Sequence, residues 1–172
     1  DVYGKYQDNI YKAFRKAYPY HDFVSMPAPG CQHMMLLSRY PILKKEQIKY
    51  KSAGNISFAY LINYNNQEVL VVNNHFESNH LSEADKQGYK NIVRSPFGGN
   101  NTKKESERIL DKLGEAAIIR APQVEAVAAY VKKYLDKKIP VILCGDFNDN
   151  PISYAHKTIA NCLDDAYIKS GN

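Results

Sequence analysis

Tryptophan is absent from this 172-residue chain, and cysteine is scarce. Cys31, Cys144 and Cys162 stand far apart with no Cys-x-x-Cys spacing, which argues against a disulfide framework and against a cysteine-based zinc site. Cys144 lies within an apolar run and reads as core. No apolar stretch nears the roughly 18 residues of a membrane span, and no signal-peptide pattern opens the chain. The sequence starts Asp1-Val2-Tyr3 without an initiator methionine, as an excised or processed piece would. Localisation is therefore unreadable. Internal repeats are missing too, as is any stripe of one charge sign. The 23 basic and 18 acidic residues give a net charge of +5, a modest bias toward anionic partners. The lysines come as scattered pairs such as Lys44-Lys45 and Lys132-Lys133, so the charge pattern does not indicate a nucleic-acid groove.

What remains is ordinary globular composition, with 44% hydrophobic and 24% charged residues. The length suits one domain. Fourteen tyrosines suit sheet faces and cleft walls, having an apolar ring and a polar tip. Ile10, Phe14 and Ala17 recur at helical spacing, which predicts a helix over Gln7 to Tyr18, stopped by Pro19. A short strand is expected at Asp22 to Met26, then a loop at Pro27, Pro29 and Gly30. Met34 to Arg39 reads as a strand that Pro41 ends or forces to an edge. Ser57 to Tyr64 and Glu68 to Glu77 flank Asn65-Asn66 and predict an antiparallel hairpin. Ser78 to Asn101 reads as a long polar surface loop with room for a helical turn. Thr102 and Glu105 form a capping-box pattern opening a helix, which Pro122 breaks or kinks before the apolar face resumes at Val124. A strand at Val141 to Cys144, a short helix from Ser153 and a trailing tail complete the reading. The class is α+β or layered α/β.

Two strand ends carry chemistry. "VILCGDFNDNP" (Val141 to Pro151) stops an apolar run at Gly145 and then crowds acids and amides together. If the extended backbone persists, Asp146 and Asn148 point the same way, while Phe147 points back into the core. A carboxylate beside a carboxamide suits a hydrated cation or an attacking water. The same residues also suit Asx turns capping a strand end. In "VVNNHFES", Asn73 and His75 share one face, and Val72, Asn74 and Phe76 the other. A strand-end histidine could meet a phosphoryl oxygen as imidazolium or shuttle protons; it could equally be a structural residue.

Taken together, a strand ending in Asn-x-His and a later one ending in Gly-Asp-Phe-Asn-Asp resemble the endonuclease/exonuclease/phosphatase superfamily. "MMLLSRYPI", "RAPQVEAVAAYV" and "LDDAY" look like further motifs of that family, in the right order from Met34 to Tyr167. The resemblance implies two packed, mostly antiparallel sheets flanked by helices, a deoxyribonuclease-like four-layer sandwich, here incomplete. It implies hydrolysis of a phosphodiester or phosphomonoester by activated water, with Mg²⁺ or Mn²⁺. The implied catalytic residues are His75, Asp146 and Asn148, with Asp146 and Asn148 also at the metal and Asn73, Arg39 and Arg120 toward the substrate. The family's Gln-Glu pair on an early strand and its Ser-Asp-His triplet are not found. Residues 1–172 thus read as the middle of one domain, expected to be inactive alone and to self-associate through open sheet edges. A non-catalytic binding or scaffold module on the same fold is the alternative.

Overall fold

The computed structural model describes residues 2–25, 32–52, 54–94 and 99–171. In chain order these form β1 (Val2–Tyr3), a 3₁₀ turn (Gly4–Tyr6), α1 (Gln7–Phe14), β2 (Tyr20–Ser25), β3 (Gln32–Ser38), β4 (Ile42–Ile48), β5 (Ser57–Tyr64) and β6 (Gln67–His75). The helices α2 (Glu83–Arg94) and α3 (Gly99–Leu135), the strand β7 (Val141–Asp146), α4 (Tyr154–Ala160) and α5 (Ala166–Lys169) follow. The loop expected at Pro27, Pro29 and Gly30 lies outside the described residues, as does Cys31.

The strands make two sheets, ordered β1-β3-β2 and β4-β5-β6-β7. All pairings are antiparallel except β6 with β7. The sheets pack face to face through Met34 and Leu36 on one side and Phe58 and Tyr60 on the other. Asp22 of β2 stitches them together, accepting from the Tyr60 hydroxyl and pairing with Lys45. The opposite face of the second sheet, with Ala59, Val72 and Phe76, packs on Val124, Val127 and Val131 of α3 and Ala155 and Ile159 of α4. Burying each of those valines contributes about 1.5 kcal/mol or more. On the first sheet, Tyr11 of α1 meets the His21 ring at 4.0 Å. This is the α+β sandwich expected from the sequence.

The hairpin forms as expected, with Tyr64 paired to Gln67 and both turn asparagines at positive φ, 51° and 69°. A two-residue turn needs that left-handed backbone to match the strand twist, and Asn tolerates it. Other expectations are corrected. The first helix ends at Phe14, short of Tyr18. Ile42–Ile48, absent from the sequence reading, is a strand at the sheet edge, with Lys45 on the face toward the first sheet, where it meets Asp22. The supposed loop after Ser78 holds α2, opened by a capping box in which Ser82 Oγ accepts from the Asp85 N–H and Asp85 Oδ2 accepts from the Ser82 N–H. The box anticipated at Thr102 falls inside α3, which runs unbroken for 37 residues through Pro122. The bond that Pro122 cannot donate would go to the carbonyl of Ile118, an exposed residue. Cys144 is exposed, not core, because the first sheet does not cover β7.

Candidate active site

The parallel pairing of β6 with β7 sets His75 beside Asp146 and Asn73 beside Cys144. Register partners in parallel strands project to the same face, about 4.8 Å apart. The imidazole and the carboxylate therefore leave the sheet together at its carboxyl end. A crossover of α2 and α3 lies between these strands, as a parallel pair requires. Gly145 permits the arrangement. Its φ is +135°, and a Cβ there would sit 2.0 Å from the Asn74 carbonyl oxygen.

His75 is buried, and burial pushes its imidazole below the usual histidine range, with Asp146 pulling the other way. Burial thus favours the neutral ring. That form donates through one ring N–H and accepts at the other nitrogen. Asp146 is exposed and its Oδ1 accepts the backbone N–H of Asn148 at 2.9 Å.

The extended geometry does not persist past Asp146. Asn148 has φ +50°, so it does not alternate with Asp146 along a strand. Its carboxamide nitrogen instead donates to the Phe76 carbonyl at 3.0 Å, tying the two strand ends together. Phe147 does point back, meeting Phe76 edge-on at 5.3 Å. Asp149 and Asn150 are spent on local turns, accepting the N–H groups of Asn150 and Ile152. The residues of "GDFNDNP" after Asp146 thus cap the loop, as Asx turns do, while Asp146 is exposed at the strand end.

The remaining candidates separate. Asn73 shares the face of His75. Arg39 lies at the opposite end of the sandwich. Its neighbour Tyr40 packs on Tyr64 at the hairpin, and Pro41 accepts from the Asn63 N–H. The nine-residue strand β6 (roughly 27 Å) lies between that end and His75. That position removes Arg39 from the site. Arg120 is near the site but buried, and its guanidinium donates to Asp149, Asn79 and the Glu77 carbonyl.

Sequence reasoning missed Glu77 and Asn79, and it read Gln123 only as part of the Arg-x-x-Gln motif, with no role of its own. Glu77 is buried, its carboxylate 2.7 Å from His80 Nε2, and its N–H is held by Gln123 at 2.9 Å. Their signal was the three-residue spacing of Arg120 and Gln123, which puts both on one helix face toward the strand ends. A groove of about 600 Å³ runs beside this loop, lined by Asn79, Asn148 and Tyr154 with Leu113 and Ala117 of α3; its lining excludes His75 and Asp146.

Asp146 and Asn148 offer one carboxylate and one amide oxygen, the hard donors that Mg²⁺ or Mn²⁺ takes. Among the described residues no cluster of three His, Cys, Asp or Glu side chains could hold a metal ion. The donors fit such a cation in type.

No protein-family model matches the chain, and neither does any curated protein sequence. Solved structures do match it. Sphingomyelinase C from Streptomyces griseocarneus superposes over 92% of this chain and 52% of its own, at 21% identity and a TM-score of 0.57. The human Nocturnin catalytic domain superposes over 94% and 54%, at 12% identity and a TM-score of 0.59. A Staphylococcus aureus beta toxin variant with bound magnesium ions does so over 92% and 53%, at 21% and 0.57. The likeness is one of fold, and this chain spans about half the length of those proteins.

Proposed function

From the endonuclease/exonuclease/phosphatase fold that this chain has, we propose that its β6 and β7 ends supply the water-activating part of a phosphoesterase site. The observation that carries the proposal is the register of His75 with Asp146, an imidazole and a carboxylate side by side at adjoining strand ends. Asp146 orients a water and takes its proton as the water oxygen attacks phosphorus. The phosphorus–oxygen bond to the leaving group breaks, and His75 donates an N–H to the phosphoryl oxygen where charge builds. Asn73, on the same face, contacts the ester. Asn148 holds the Asp146 carboxylate through its backbone N–H and offers its amide oxygen to a cation. Mg²⁺ or Mn²⁺, held in part by Asp146 and Asn148, would neutralise charge on the phosphate. Support for Mg²⁺ comes from the ions in the Staphylococcus aureus toxin structure.

The substrate is a phosphate ester, mono- or diester. The 172 residues alone are a poor catalyst, because two oxygen donors leave a Mg²⁺ sphere unfilled.

The test is hydrolysis of bis-p-nitrophenyl phosphate by the full-length polypeptide, with Mg²⁺ and with chelator. The Asp146→Ala variant and the 172-residue chain run beside it. The full-length parent should turn over with metal only, and Asp146→Ala should lose about 100-fold or more. A folded parent with no turnover on this or on lipid, nucleotide and sugar phosphates would sink the reading in favour of a binding module. Turnover by the short chain at the parent rate would sink the claim of its weakness.

A further inference from the structure

We infer that Arg120 is a positioning residue, whose buried guanidinium clamps the β6–α2 and β7–α4 loops together and so holds Asn148 in its left-handed turn beside Asp146. The inference rests on the reading of Asp146 and Asn148 given above, and it deepens that reading.

Arg120 is 2% exposed. Its Nε donates to Asp149 Oδ2 at 3.0 Å, its Nη2 to Asn79 Oδ1 at 3.0 Å and its Nη1 to the Glu77 carbonyl. One planar group thus reaches three acceptors on two loops that lie far apart in sequence. The fixed fork of a guanidinium suits this, and a lysine has no such geometry. The grip on Glu77 is double. Arg120 takes its carbonyl, and Gln123, one turn along α3, takes its N–H. Asn79 passes the constraint on, since its Nδ2 donates to the Asn148 carbonyl at 3.0 Å.

Asn148 is the residue that needs holding. A non-glycine residue at φ +50° persists when its surroundings over-determine it. Its N–H, carbonyl and side chain are all engaged, by Asp146, Asn79 and Phe76 respectively. Two of those three partners lie on the loop that Arg120 grips or next to it. Burying a guanidinium is costly unless it is paired and fully bonded, and a helix needing only core packing would carry an apolar residue here. The arrangement is that of a clamp.

The experiment reads the backbone and side-chain amide resonances of Asn148 by NMR, together with the thermal midpoint, in the full-length polypeptide. The variants are Arg120→Lys and Asn79→Ala; kcat and KM are measured for both. Arg120→Lys should stay folded, displace the Asn148 resonances and lower kcat about tenfold or more with KM within about twofold. Asn79→Ala cuts the link without touching the buried charge, and it should displace the same resonances even if Arg120→Lys fails to fold. Unmoved Asn148 resonances in the folded variants would overturn the inference and leave Arg120 a stabilising residue only. The resonances decide this whether or not the parent hydrolyses an ester. A silent parent would therefore strike the phosphoesterase reading alone.

Discussion

At the scale of single residues, the candidate site depends on Gly145 as much as on His75 and Asp146. Its φ of +135° lies where side chains are strained, and the Asn74 backbone occupies the space of a Cβ. Gly145→Ala should therefore destabilise the protein by about 3 kcal/mol or more, from combined strain and overpacking. Urea unfolding of the two proteins measures this, and a difference under about 1 kcal/mol would mean that β6 and β7 separate without cost. Gly145, Asp146 and His75 were legible because an apolar strand can end in such residues only where it leaves the core. The orientation of Asn148 was not legible. Strand alternation predicts a side chain's face while the backbone stays extended, and nothing local in "DFND" announces the left-handed turn. Arg39 was misplaced for a related reason: a motif's neighbours in sequence do not say at which end of a sandwich the strand stops.

At the scale of elements, α2 shows ion pairing standing in for an apolar face. Asp85 has no exposure, yet its carboxylate meets Lys112 at 2.6 Å and Arg108 at 2.9 Å, both on α3. The hydrogen bond from Lys112, then those from Ser82, hold its carboxyl well below the usual carboxylate range. The sign follows from linkage. A folded pKa below the unfolded value of about 3.9 gives stabilisation that is complete above that value and is lost as pH falls through the folded pKa. Asp85→Asn should therefore be less stable than the parent at pH 7, with the gap narrowing at pH 3, measured by denaturant unfolding at both. An equal gap at the two values would show that the ion pairs are not its source. The hairpin was legible because its turn chemistry and period-two pattern agree. The helix α2 was not, since its polar residues earn burial only from α3, although "SEAD" does carry the capping box. Pro122 misled because its cost depends on exposure of Ile118, which the sequence does not show.

At the scale of the whole molecule, the second sheet ends in β7 without a neighbour among the described residues. The carbonyls of Pro140 and Asp146 bond to β6, so the alternation of a parallel ladder turns the groups of Val141, Leu143 and Gly145 outward. Ile142 is 56% exposed on the face that the first sheet does not cover. A neutral edge of this kind pairs with other strands. The 172-residue chain should self-associate with rising concentration in sedimentation velocity, and Ile142→Lys should suppress it. A monomer at all concentrations would show that the edge is protected. The sandwich as a whole was legible, since strand patterns and motif order agreed. The number of strands per sheet was not, as pairing is a property of distant segments.

The same topology bears on when the site comes into being. Strand neighbours elsewhere in the second sheet are close along the chain, whereas Asn74 and the Cys144 carbonyl it bonds are separated by 70 positions. Loop-closure entropy grows with that separation, and non-local pairings are the slow ones in folding. The hairpin of β5 and β6 is local and forms cheaply, presenting His75 before Asp146 can arrive. The constellation is thus assembled by the costliest strand pairing in the sheet, and its appearance marks a completed fold.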